Sequence, residues 1–121
     1  MKKVSIITVN YNQPKVTEDL LHSIVRHNKY AAIEIIVVDN ASNDESYAYL
    51  QPKFQQVKWI LLPENLGFGK ANNCGISEAK GKYCCFLNLV QLNLVNQLMS
   101  NYLTNLCHCF SISTLLRLQS L

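Results

Sequence analysis

Long apolar runs are missing from this sequence. None reaches the roughly 18 residues that a membrane-spanning helix needs. Met1-Lys2-Lys3 followed by Val4 to Val9 has the start of a signal peptide, but the run stops at Asn10 with no small-residue cleavage site after it. No transmembrane segment is therefore expected, and the expected setting is cytoplasmic. Charge is sparse too, at 16% of residues against about a quarter in an ordinary domain. The net +3 is too small and too scattered to suggest nucleic acid; Lys2, Lys3, Lys80 and Lys82 read as solvated positions. The five cysteines (Cys74, Cys84, Cys85, Cys107 and Cys109) fit neither a disulfide framework nor a C-x-x-C metal or redox site. Cys107-His108-Cys109 lacks further zinc ligands, so buried or incidental thiols are expected.

Other shortages are local. The turn Thr8-Val9-Asn10-Tyr11-Asn12-Gln13 contains no glycine, which excludes the G-x-G-x-x-G loop of a dinucleotide-binding dehydrogenase. Gly67-Phe68-Gly69 comes too late and lacks the third glycine. There is no P-loop. A phosphoacceptor receiver is excluded because no acidic residues follow the first strand. Residues 89–121 hold a single charged residue, Arg117, with ten leucines and no glycine or proline. No acidic residue follows Glu78. Turns ordinarily use Gly and Pro, and folded surfaces carry charge. The chain therefore divides into residues 1–88 and an atypical tail, residues 89–121, expected to be out-of-frame translation after a frameshift near residue 88.

What is present before that break is regular. Ile35-Ile36-Val37-Val38 is a β-branched run entering Asp39-Asn40-Ala41-Ser42, which reads as a strand buried on both faces with a carboxylate at its carboxyl end. The strand candidate holding this run is Ile33 to Val38, and Val4 to Val9, Val57 to Leu62 and Tyr83 to Leu87 are the others. Pro14 suits the first turn of a helix, and Val16, Leu20, Leu21, Ile24 and Val25 repeat at helical spacing up to about His27. Ser42 or Asn43 is placed to cap a short helix carrying Tyr47, Tyr49 and Leu50, ended by Pro52. Phe68, Ala71, Ile76 and Ala79 mark another helix, with Gly81 as its stop. A loose helical pattern runs through Leu92, Val95, Leu98 and Met99. Strand and helix alternate, so the fold class is α/β: a Rossmann-like parallel sheet with flanking helices. In such sheets ligands sit at the carboxyl ends of the strands, where Asp39 stands.

Four blocks in order carry a resemblance. They are Val4 to Asn12, Ile35 to Asp44, Asn65 to Ile76 (Asn-Leu-Gly-Phe-Gly-Lys-Ala-Asn-Asn-Cys-Gly-Ile) and Gly81 to Asn88. Together they resemble family 2 glycosyltransferases of the GT-A fold over residues 3–88, and Asp-Asn-Ala-Ser with Asn-Leu-Gly-Phe-Gly looks most like the rhamnosyltransferase-type subgroup. The resemblance implies transfer of a sugar from a UDP- or dTDP-sugar to a saccharide or lipid-linked acceptor in polysaccharide biosynthesis, at the inner face of the cell membrane. It implies that Asp39 accepts the N3–H of the pyrimidine, and that Thr8, Asn10, Tyr11 and Asn12 pack base and ribose. Asn65, Gly67 and Lys70 belong to the loop and helix start facing the phosphates. It also implies a Mg²⁺ or Mn²⁺ ion held by an aspartate after Leu-Asn-Pro. Here Asn88 is followed by Leu89-Val90-Gln91, and Val90 stands in the aspartate's place. No carboxylate is available downstream as catalytic base. The chain is expected to be the nucleotide-binding part of such an enzyme without its turnover. The alternatives are a non-catalytic nucleotide-binding or regulatory fragment, or a chain that does not fold stably by itself.

Overall fold

The computed structural model describes residues 3–28, 30–87 and 110–111. Four parallel strands, β1 (Val4–Asn10), β2 (Ile33–Asp39), β3 (Lys58–Leu61) and β4 (Tyr83–Phe86), form a sheet in the order β3-β2-β1-β4. A two-residue strand, β5 (Phe110–Ser111), pairs antiparallel with β4 at Tyr83 and Cys84. The connecting helices are α1 (Pro14–His27), α2 (Ser46–Leu50) and α3 (Phe68–Glu78). The expected α/β parallel sheet is the one found.

Period-two alternation sorts the strand residues onto two faces. Ile6, Ile35, Val37 and Cys85 join Leu20, Leu21, Ile24 and Leu50 under α1 and α2. Ile7, Ile36, Val38 and Cys84 join Ala71 and Ile76 under α3. β2 is covered on both faces, which is why it reads as an unbroken β-branched run. Ile36, Val37 and Val38 have no exposed surface, and each contributes about 1.5–3 kcal/mol relative to exposure.

Several boundaries differ from expectation, each for a local reason. Val25 lies off the apolar stripe of α1 and is 54% exposed. α2 begins at Ser46, not after Ser42 or Asn43, because Ser42 is drawn onto Asp39 and the Asp44 carboxylate takes the Ser46 N–H (2.9 Å) and hydroxyl. Pro52 does not end that helix; it sits inside a following 3-10 turn, Gln51–Lys53, where its missing N–H is harmless. Strand boundaries shift by a residue: β1 and β2 extend to Asn10 and Asp39, while β3 and β4 are shorter than expected. Gly81 is not the stop of α3, which ends at Glu78 with Ala79 as cap. Its function is close approach: a Cβ there would lie 2.5 Å from the Ser5 hydroxyl oxygen and 2.7 Å from the Ser5 backbone nitrogen.

Glu34 ties down the end of the sheet away from the carboxyl ends. Its carboxylate accepts from the Ser5 hydroxyl and the Lys80 N–H, both at 2.6 Å, and the Gly81 N–H donates to the same Ser5 oxygen at 2.9 Å. Burial works against the charged form of Glu34. The hydrogen bonds from Ser5 and from the Lys80 and Gly81 backbone, with the charge of Lys3, outweigh it and hold the carboxyl below the usual carboxylate range.

The expectations for Asn88, Val90 and the Leu92–Met99 helix fall outside the described residues. Among the described residues no helix is long and apolar enough to cross a membrane.

Candidate functional site

The sheet order reverses between β1 and β4, since β2 and β3 lie on one side of β1 and β4 on the other. Open α/β sheets bind ligands outside the carboxyl ends of strands near such a reversal. The parallel register places Asn10, the last residue of β1, beside Asp39, the last of β2. Both are buried, and a carboxylate so buried needs donors around it.

Three donors reach Asp39. Its Oδ1 accepts from Asn10 Nδ2 at 2.8 Å and from the Ser42 hydroxyl at 2.7 Å, and its Oδ2 accepts from the Ser42 backbone N–H at 3.1 Å. Asn10 is in turn held by the buried Thr17 hydroxyl, which donates to Asn10 Oδ1 at 2.6 Å. Ser42 Oγ accepts the Asn12 N–H at 3.0 Å and lies 3.3 Å from Asn10 Nδ2. Asn12 Oδ1 receives the Asn43 N–H at 2.9 Å, closing the β1 loop onto the β2 loop. Among the described residues only two other than glycine have positive φ, Asn12 (52°) and Ala41 (60°), and both belong to this knot. Left-handed backbone at a non-glycine residue persists only where its surroundings impose it.

A second knot holds the loop before α3. Asn40 Nδ2 donates to Asn65 Oδ1 at 3.0 Å, Asn40 Oδ1 accepts the Leu66 N–H at 2.9 Å, and Asn65 Oδ1 also accepts the Gly67 N–H at 2.9 Å. Gly67 has φ 83°, a conformation suited to glycine, and Phe68 then opens α3. Lys70 is exposed in the first turn of α3, with no ion-pair partner among the described residues.

Of the eight residues expected at the site, Asn10, Asn12 and Asp39 meet in the first knot and Asn65 and Gly67 belong to the second. Thr8 is buried and donates its hydroxyl to the Leu87 carbonyl at 3.0 Å, so that group joins β1 to the end of β4. Asn10 and Asn12 brace Asp39 and the two loops. Tyr11, the residue after β1, is 42% exposed. A cleft of about 390 Å³ opens beside Asp39, Ala41 and Ser42, walled by Asp44 and Tyr47 and closed by Leu61 and Leu62 after β3. Asp39 is the only one of the eight that lines it. Ser42, Asn40 and Tyr47 are not among the residues expected at the site: from sequence Ser42 reads as a helix cap and Tyr47 as part of the helix it caps. The first two lie inside the Asp39-Asn40-Ala41-Ser42 block, which was their only signal. Tyr47 meets Trp59, the single tryptophan of the chain, edge to face with ring centroids 5.5 Å apart.

The stretch Asn88-Leu89-Val90-Gln91 carries no carboxylate, and among the described residues no group of three or more His, Cys, Asp or Glu side chains is placed to hold a metal.

Comparison with known proteins agrees with this architecture. The chain is 38% identical over 85 residues to an uncharacterized glycosyltransferase of Rickettsia prowazekii, covering 70% of this chain and 26% of that protein. It is 32% identical over 93 residues to the UDP-Glc:alpha-D-GlcNAc-diphosphoundecaprenol beta-1,3-glucosyltransferase WfaP of Escherichia coli, covering 73% of this chain and 35% of that protein. The chain thus spans about a quarter to a third of the length of these relatives. Among solved structures, S. aureus TarS 1-349 in complex with UDP-GlcNAc superposes with a TM-score of 0.63 at 30% identity, over 72% of this chain and 26% of that one. The same protein in complex with UDP gives 0.64 at 27% identity, over 71% and 27%. The profile of Glycosyl transferase family 2 matches residues 5–89, and with the parallel sheet and the Asp39 site behind that match, this chain belongs to glycosyl transferase family 2.

Proposed function

We propose that this chain binds the nucleoside diphosphate part of a UDP- or dTDP-sugar, with Asp39 reading the base, and that it does not turn the donor over. The observation that carries this reading is the carboxylate itself. Three of its roughly four acceptor positions are filled from within, and one on Oδ2 stays open beside a cleft. Uracil and thymine present one N–H between two carbonyls, which suits a single acceptor. Tyr11 supplies a ring to stack on base or ribose. The N–H groups that open α3, with Lys70, supply positive potential for phosphate. The nucleotide-binding unit is residues 1–88, followed by the atypical tail.

In an intact relative the sugar would pass to a saccharide or lipid-linked acceptor during polysaccharide biosynthesis, with a divalent ion stabilising the leaving diphosphate. No acidic residue stands between Glu78 and Leu121, so the metal carboxylate has no candidate in that stretch. The UDP and UDP-GlcNAc complexes of TarS support a uracil nucleotide over thymine as the ligand.

Titration with UDP, dTDP and CDP, followed by Trp59 fluorescence with and without Mn²⁺, tests the reading. UDP or dTDP should bind more tightly than CDP, and Mn²⁺ should change little. Equal affinity for CDP would sink the base assignment. Binding that requires Mn²⁺, or release of sugar from a UDP-sugar, would sink the proposed loss of metal and turnover.

A further inference from the structure

Ser42 applies both its backbone and its side chain to one carboxylate. Its N–H donates to Asp39 Oδ2 at 3.1 Å while its hydroxyl donates to Oδ1 at 2.7 Å. A hydroxyl has one proton and two acceptor positions. The proton goes to Asp39, and the oxygen faces the Asn12 N–H at 3.0 Å and Asn10 Nδ2 at 3.3 Å. All its capacity is therefore in use. The preceding residue, Ala41, and the loop partner, Asn12, are, among the described residues, the two other than glycine with positive φ, so the backbone on both sides is bent into the conformation that presents this hydroxyl.

We propose that Ser42 is a specificity-determining positioning residue: it saturates Oδ1 of Asp39 together with Asn10 and leaves a single acceptor on Oδ2 for the base. The inference rests on the reading of Asp39 given above. A base with one donor between two acceptors satisfies such a carboxylate. Guanine presents two adjacent donors, N1–H and the 2-amino group, and needs both oxygens; the Ser42 hydroxyl occupies the second. Removing the hydroxyl frees an acceptor on Oδ1 and lets the carboxylate turn.

The test compares UDP, CDP and GDP binding to wild type, Ser42→Ala, Ser42→Thr and Asp39→Asn by Trp59 fluorescence. Ser42→Ala should shrink the UDP-over-GDP preference by about tenfold, the effect of one hydrogen bond to a charged group that GDP gains at the freed Oδ1 position. Ser42→Thr, which keeps the hydroxyl, should restore the preference. A merely structural Ser42 would loosen the loops, lower all three affinities together and leave their ratios alone; that result overturns the proposal. If Ser42→Ala does not fold, Ser42→Cys keeps the volume with a weaker donor and is read the same way. An Asp39→Asn variant with unchanged UDP preference refutes the base-reading role itself. Asp39→Asn losing the preference while Ser42→Ala keeps it refutes Ser42 alone.

Discussion

Asn10→Ala gives the sharpest test of the knot around Asp39. The side chain is fully buried and makes two short bonds of different kinds, one donated to the Asp39 carboxylate at 2.8 Å and one accepted from the buried Thr17 hydroxyl at 2.6 Å. A hydrogen bond to a charged group contributes about 1.5–3 kcal/mol, and orphaning a buried hydroxyl costs about 1–3 kcal/mol. The expected loss is about 3–5 kcal/mol, a large share of the roughly 5–15 kcal/mol available to an ordinary domain. With a urea slope of roughly 2 kcal/mol per M, the unfolding midpoint should fall by about 2 M. Trp59 fluorescence follows it directly, since the lone tryptophan packs against the core beneath α1 and α2. Asn10→Asp keeps the shape but turns the donor facing Asp39 into an acceptor, and should cost more than alanine at pH 7. A loss below about 1 kcal/mol for Asn10→Ala would mean that the bonds are replaced by water, and the reasoning about a closed carboxylate would fail with it.

Other expectations are equally direct. Gly81→Ala should destabilise by about 1–3 kcal/mol, because the new methyl meets backbone as well as the Ser5 hydroxyl. Gly69→Ala, with nothing within 4 Å of its Cβ, should be neutral or stabilising by up to about 1 kcal/mol; equal melting temperatures for the two variants would refute the packing argument. Because folding lowers the pKa of Glu34, its stabilisation is complete above the unfolded value near 4.5 and is lost as pH falls through the lower folded value. Glu34→Gln should therefore lose less stability than wild type between pH 6 and pH 3 in urea titrations, and parallel pH profiles would contradict this. Lys70→Ala should weaken UDP several-fold in low salt while leaving uridine unchanged, and an equal effect on both ligands would remove its phosphate role.

The sequence determined the architecture because burial leaves a mark on residue type. Ile35 to Val38 is apolar throughout since β2 is covered on both faces, Pro14 opens α1 where its missing N–H costs nothing, and alternating strands and helices admit few arrangements other than a parallel sheet. Asp39 was legible as a strand-end carboxylate for the same reason. The uses of its neighbours were not. Thr8, Asn10 and Asn12 have the hydrogen-bonding groups of ligand-binding residues, and nothing in their spacing says that Leu87, Thr17, Ser42 and Asn43 claim those groups first. The start of α2 depended on Ser42 being drawn onto Asp39 and on the Asp44 carboxylate taking the Ser46 N–H, and Gly81 on a strand 76 residues earlier. Residue type sets what a side chain can donate or accept. Only the tertiary contacts decide how much of that capacity is satisfied internally, and at Asp39 they place two donors on Oδ1 and one on Oδ2.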